Sequence, residues 1–252
     1  MIYKFFSNIE FLLSSLKNSQ LWFSKVEDFN DPFEWDVPYR IDTTKNEEQI
    51  IKYIRDNSFH KPESYIKIKI DFYLSNPSKL EEEFNKTLAY REKKGVCCFT
   101  KEENLTNILM WSHYADNHKG IVLGLDVNLI EISHTLDWNN GHHITIPWIK
   151  DVQYTNKYRF INPFENERPT VKDVEFIKST IWKNEKEVRL VSPLFGLHNF
   201  NASSCLKEII FGVKTPEINK SQISNLFKNN ILYDVQIRNC IKDKERIKLK
   251  IQ

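Results

Sequence analysis

The chain has 252 residues, 36 Lys and Arg against 34 Asp and Glu, and is 40% hydrophobic and 28% charged. That composition supports a packed core and excludes wholesale disorder, a cationic arm and an acidic tail. Six glycines in the whole chain speak against a glycine-rich phosphate cradle, and no apolar run is long enough to span a bilayer.

Residues 2–6 alternate and predict a strand. Their start lacks the basic and apolar regions of a signal peptide. Ser7-Asn8-Ile9-Glu10 predicts a capping box, with the Ser hydroxyl on the Glu10 N–H. Phe11, Leu12, Leu13 and Leu16 then predict an amphipathic helix to about Lys17, and Leu21 to Ser24 a short strand. Asn30-Asp31-Pro32 predicts a turn. Residues 44–95 read as a helical insertion within one domain spanning 1–252. Its signals are capping boxes at 44–47 and 78–81, a break at Asn76-Pro77, and Gly95 as a C′ residue.

Beyond it, Val96 to Thr100 predicts a strand, Asn104 to Ala115 a short helix, and Gly120 to Asp126 a buried strand. Further strands are expected near 144–154, 187–192, 206–211, 231–238 and 246–251, and helices near 171–181 and 217–228. Strands and helices do not alternate regularly. The expected class is therefore α+β, a mixed or antiparallel sheet carrying a helical insertion. Cys97, Cys98, Cys205 and Cys240 form no Cys-x-x-Cys pair. They read as reduced, mostly buried thiols of a cytoplasmic protein without a zinc site.

Three segments carry more chemistry than folding demands. In Phe29 to Glu34 the phenylalanines anchor a turn, or Asp31 and Glu34 serve a site. In Met110 to Gly120, Ser112, His113 and Tyr114 offer a hydroxyl, an imidazole and a phenol within one helical turn, while Trp111 and Ala115 share a face. The plainer reading is a core Trp with solvated neighbours. His113 and His118 are badly spaced for one metal, and no third ligand stands near, so no metal is expected. His134, His142 and His143 give only a weak metal signal.

The third segment runs from Trp182 to Val191. A strand entered at Glu185 places Glu185, Glu187 and Arg189 on one face. Either this row is a solvent-exposed salt-bridge ladder, or it faces a cleft where Arg189 orients one Glu and like-charge repulsion raises the other's pKa. Lys242–Lys250 alternates Lys with apolar residues. It reads as an edge strand guarded by charge rather than a nucleic-acid patch.

Together these segments resemble the bacterial domain-of-unknown-function family number twenty-nine seventy-one, from Tyr3 to about Gly212. The resemblance rests on Tyr3-Lys4-Phe5-Phe6-Ser7, Asn30 to Glu34, Cys98-Phe99-Thr100, Met-Trp-Ser-His-Tyr-Ala at 110–115, His-Lys-Gly at 118–120, and Trp182 to Arg189. A more distant similarity is to the ADP-ribosyltransferase fold, a split sheet whose first strand contacts NAD and whose late strand carries a catalytic Glu. Where related members have His-Tyr-Thr-Ser, this chain has Lys4-Phe5-Phe6-Ser7. Lys4 would then meet a phosphate as a point charge.

That similarity implies NAD as substrate and a transferase or glycohydrolase, a toxin or phage-defence effector acting on a protein or nucleic-acid acceptor. Glu187, preferred over Glu185 as lying deeper in the strand, would stabilise the oxocarbenium-like ribose. Tyr114 or Trp111 would stack on nicotinamide, with Ser112, Asp31, Glu34 and Arg189 contributing to binding. Two other readings stand beside it: a nuclease or hydrolase using His113 and His118 as acid and base, and a non-enzymatic binding or sensor module. The catalytic reading requires Lys4, Tyr114 and Glu187 to share one cleft. No membrane partner is expected, and the sequence sets no oligomeric state.

Overall fold

The computed structural model describes the chain except residues 37, 87–92, 136–141, 146–147, 158–159, 165–173 and 229–234. In chain order the first elements are β1 (Ile2–Phe6), α1 (Ile9–Asn18), β2 (Gln20–Phe23), α2 (Glu47–Asp56), α3 (Glu63–Ser75), α4 (Pro77–Lys86), β3 (Gly95–Thr100) and α5 (Ile108–Tyr114). Then come β4 (Ile121–Leu125), β5 (Ile132–Thr135), β6 (His142–Thr145), β7 (Trp148–Asp151), β8 (Gln153–Tyr154) and β9 (Ile177–Lys178). The chain ends with β10 (Glu187–Ser192), β11 (Gly196–Phe200), α6 (Ala202–Cys205), β12 (Leu206–Phe211), α7 (Glu217–Lys228), β13 (Gln236–Lys242) and β14 (Leu249–Ile251).

An eight-stranded sheet runs β14-β13-β12-β4-β1-β3-β10-β7. Its pairs are antiparallel except β12 with β13, which α7 connects. The sheet is thus mixed and the class α+β. A four-stranded sheet, β2-β11-β5-β6, stands beside it, and β8 pairs with β9. The main core is formed by Leu12 and Leu16 of α1, Leu21 and Phe23 of β2, Leu123 and Leu190 of the large sheet, and Ile223 and Leu226 of α7. Side chains of this kind contribute roughly 1.5–3 kcal/mol each when fully buried. Helices α2 to α4 close over their own cluster, with Ile50, Ile54, Ile66, Ile70, Tyr73 and Leu80 buried in it. No helix among the described residues is long and apolar enough to cross a membrane.

One irregularity positions the site. β1 pairs with β4 from Ile2↔Leu125 to Phe6↔Ile121, but with β3 only at Tyr3↔Thr100. Past that point the two strands part. Lys4 Nζ donates to the Cys98 carbonyl at 3.4 Å across the opening.

Several local signals resolve differently from expectation. Asn8, not Ser7, caps α1, its Oδ1 accepting from the Glu10 and Phe11 N–H groups at 2.8 and 3.1 Å. Both residue types cap well, and the amide is one residue nearer the first turn. Thr44 does not cap α2; Asp42 binds the Thr44 and Lys45 N–H groups instead. α4 opens at Pro77, whose missing N–H costs nothing at a first helical position, so Ser78 lies inside the helix. Gly95 begins β3 rather than ending a helix, and a Cβ there would lie 2.5 Å from the Leu194 oxygen and 2.7 Å from Phe23 Cβ.

The stretch expected as a helix near 171–181 has no α-helix among its described residues. It holds a 3-10 turn at Val174–Phe176, β9 and the start of a second turn at Thr180–Glu185. The pairing of β9 with β8 outweighs local propensity there.

After α5 the chain reverses through Asp116, Asn117 and His118 at φ 42°, 51° and 73°, a left-handed run that short polar and His side chains tolerate best. Gly120 follows where a Cβ would collide with the Phe6 carbonyl oxygen and sit 2.7 Å from Ala115 Cα. Gly120→Ala is therefore expected to cost about 1–3 kcal/mol through overpacking. A urea melt indistinguishable from wild type would contradict this close approach.

Candidate functional site

Across β1, β3 and β10 the register aligns Tyr3, Thr100 and Glu187, and two residues further on Cys98 faces Arg189. Strand alternation puts all five side chains on one face of the sheet. Glu185 joins them by another route. It ends the 3-10 turn, and Lys186 at φ 45° turns the chain into β10. The expected strand row of three charges is thus corrected to two from the strand and one from the turn before it. Asn104 Nδ2, donating to the Asn184 and Glu185 carbonyls at 2.9 and 2.5 Å, and Thr100 Oγ1, donating to the latter at 2.6 Å, fix that turn.

Arg189 is fully buried. Nη1 and Nη2 donate to the two Glu34 carboxylate oxygens at 2.8 and 2.6 Å. Nε and Nη2 donate to Glu187 at 2.7 and 3.1 Å, and Nη1 also donates to the Glu175 carbonyl at 2.8 Å. All five guanidinium N–H donors are engaged. Lys178 Nζ bonds Glu185 at 2.7 Å and Glu187 at 3.1 Å, and lies 3.6 Å from Glu34. Tyr114 donates its hydroxyl to Glu185, and the Glu187 N–H donates to the Tyr154 hydroxyl at 2.8 Å. With Glu34, Glu185 and Glu187 ionised against Lys178 and Arg189, the cluster carries one excess negative charge. The row is buried, not the solvent-exposed ladder that its charges alone suggest.

The carboxyls divide by environment. Burial pushes Glu187 upward, but Arg189 and Lys178 outweigh it and hold its pKa down to about 2. Burial raises Glu34 above its ordinary value, and Arg189 and Lys178 only partly oppose this. Tyr114 is raised by burial and by the Glu185 carboxylate it bonds, Tyr154 by burial to about 12. A depressed carboxyl stabilises the fold above its unfolded pKa and loses that contribution as pH falls through its folded value. The stability gap between wild type and Glu187→Gln is therefore expected to be fullest above about pH 4.5, of order 3 kcal/mol. It should shrink as pH falls toward 2, while Glu34 shifts in the opposite sense in both proteins. A gap that stays constant down to that pH in thermal melts would refute the assignment.

A cavity of about 380 Å³ opens where β1 leaves β3, and Lys4, Tyr114, Glu185 and Glu187 all border it. Tyr3, Phe5, Phe29 and Phe99 supply aromatic walls, and Asn30 reaches it from the Asn-Asp-Pro turn. Lys4 Nζ lies 5.5 Å from the Phe99 ring centre and 5.7 Å from that of Phe6. Among the described residues no carboxylate pairs with it.

The other expected residues lie elsewhere. Glu34 stands behind Arg189. Asp31 is buried, one oxygen accepting from the Phe33 N–H at 3.0 Å and the other without a partner. Trp35, next to Glu34, is held at φ 57°, which costs a bulky residue about 1–3 kcal/mol. Trp111 does not reach the cavity. It is fully buried, donates Nε1–H to the Leu105 carbonyl at 2.7 Å, and meets Phe5 edge-on at 5.1 Å. Its expected stacking role is corrected to a core role. Ser112 is half-buried and His113 exposed, both outside the cavity. Residues 110 and 114 of α5 face inward, and neighbours one or two positions away point elsewhere. His118 borders a different groove. No cluster of metal-ligating residues occurs among the described residues.

Sequence reasoning missed Lys178, Tyr154 and Asn104. Their roles are made by residues distant in the chain, and Asn104, within the largely polar run Lys101 to Asn107, carried no local signal that sets it apart.

Compared with known proteins, residues 110–190 match the family model described as protein of unknown function, DUF2971. No curated protein and no solved structure matches the chain. The matched segment runs from α5 into β10 and contains Tyr114, Lys178, Glu185, Glu187 and Arg189, whereas Lys4 and Glu34 lie before it. Over these residues, which hold most of the polar wall of the cavity, the chain is similar to the DUF2971 family.

Proposed function

We propose that the protein consumes NAD, as an ADP-ribosyltransferase or an NAD glycohydrolase, in the cavity beside β1. The observation that carries this reading is the convergence of Lys4, Tyr114, Glu185 and Glu187 on one hollow at the split between β1 and β3. Four aromatic walls and one excess negative charge suit a flat aromatic cation, and the nicotinamide of NAD is one. The volume, about 380 Å³, lies at the small end of ligand sites. It accommodates the nicotinamide riboside half, with Lys4 toward the first phosphate.

In the reaction the bond between ribose C1′ and the nicotinamide nitrogen breaks, and its electron pair leaves with nicotinamide, which becomes neutral. The ribose takes on oxocarbenium character, and a fixed carboxylate stabilises it. Water, or a nucleophile of an acceptor, then adds at C1′ and loses a proton. Glu185 suits the carboxylate role better than Glu187. Glu187 spends its acceptor sites on two Arg189 nitrogens, Lys178 and the Cys98 thiol. Glu185 accepts one bond on each oxygen, from Tyr114 and Lys178, and keeps further lone pairs for a ribose hydroxyl.

NAD is an intracellular cofactor and the four cysteines are free, so the reading places the protein in the cytoplasm. Unregulated loss of NAD harms the cell in which it happens, which suits a toxin or phage-defence effector acting on a protein or nucleic-acid acceptor. The test is chromatographic measurement of free nicotinamide after incubation with NAD, with and without cell lysate as a source of acceptor. No release under either condition would refute the proposal.

A further inference from the structure

We propose that a second, basic groove on the far flank of α5 binds the phosphodiester backbone of single-stranded nucleic acid. The groove, about 480 Å³, is bordered by Lys214, Lys242, Arg246 and Lys248, with Ile108 and His118 from either end of the α5 segment. Among the described residues no carboxylate pairs with Lys214, Lys242 or Arg246. Among the described residues one carboxylate borders the groove, Asp243, turned inward with its side chain 2% exposed. It accepts from the Glu245 N–H at 2.9 Å and pairs with Lys250 at 3.0 Å and Lys248 at 3.7 Å. It therefore holds the hairpin between β13 and β14 and does not cancel the outer cations.

His118 reports the resulting potential. Burial, Lys214 and Lys242 together keep its imidazole below its ordinary pKa. The left-handed run that carries it is anchored, its carbonyl accepting from the Lys214 N–H at 2.9 Å. Two of the cations thus sit on a fixed frame: β12 leads to Lys214, and β13 ends at Lys242.

β14 is the edge of the large sheet, and the alternating lysines of this segment guard that edge. Lys214 and His118 add to them from elsewhere in the chain, which local sequence could not reveal. The cations come from separate parts of the chain: Lys214 follows β12, Lys242 ends β13, and Arg246 and Lys248 lie on the hairpin before β14. Beside them stand Ile108, 42% exposed, and Ile247, fully exposed. Unpaired cations beside exposed apolar side chains in one groove match a strand that alternates phosphate and base. A compact anion or an acidic peptide would leave the isoleucines in water. The groove is distinct from the NAD cavity, since Met110 and Tyr114 face that cavity from the same helix, and this inference stands whether or not NAD is turned over.

The test is fluorescence anisotropy with a short labelled single-stranded DNA and the full chain. Saturable binding is expected, with a log–log salt slope near about −2 for three phosphate contacts. Lys242→Gln with Arg246→Gln should weaken binding about tenfold or more at low salt, while Lys244→Gln, on the same hairpin but outside the groove, should leave it unchanged. Circular dichroism confirms that each variant is folded. Absence of binding at low salt, equal affinity of the double variant, or displacement by polyglutamate as effective as by unlabelled DNA would each overturn the proposal.

Discussion

Arg189→Met is expected to cost about 3–5 kcal/mol, the penalty for leaving buried carboxylates without their cation. That is a large share of a stability that is typically about 5–15 kcal/mol. The size follows from geometry. Glu34 and Glu187 have side chains only 1% and 5% exposed and both rest on this one guanidinium. Removing it leaves three acids on Lys178 alone. Lysine at 189 restores the charge but not the two-pronged bond to Glu34 or the bond from Nε to Glu187, so it should recover only part of the loss. Glu34→Gln combined with Arg189→Met should be more stable than the Arg189 single variant, because one orphaned charge is gone. Urea titrations of these four proteins and of Glu34→Gln alone, which completes the cycle, read this directly. A single variant as stable as wild type, or no coupling in the pair, would show that the cluster is not held by Arg189.

Glu185→Gln is expected to act on turnover and spare the fold. The amide keeps the shape and loses the charge that a developing oxocarbenium would feel, an effect of about 10²–10³ in rate for a single preorganised group. The loss should fall on kcat more than on KM, since the interaction is made mostly in the transition state. Stability should hold, because Lys178 keeps Glu187 at 3.1 Å and the cluster moves from one excess negative charge to balance. Glu187→Gln differs in kind, since it weakens the fold and the site together.

Much of the frame was legible in the sequence. Alternation marked β1, β3 and β10, and the Asn-Asp-Pro turn and the late Glu and Arg residues stood out as more than packing. The partnership between them was not. Glu34 and Arg189 are separated by 155 positions, and periodicity describes only near neighbours. Lys178 sat in a stretch that reads as helix, and its meaning depends on three acids supplied by other turns. Trp111 looked like a candidate for stacking because a large aromatic beside polar residues fits either a site or a core. Only its contacts with Phe5 and Leu105 decide for the core. The misplaced caps have the same origin, because several residues in each stretch were chemically able to cap and only the helix's final position selects one.

The central claim is that Glu185 faces a bound NAD across the split between β1 and β3. Its most direct measurement is the rate of nicotinamide release by wild type and Glu185→Gln, side by side, with melting curves recorded on the same samples. Steady release by wild type is expected, with a loss of about a hundredfold or more in the variant at an unchanged melting temperature. Equal release by the two proteins would contradict it.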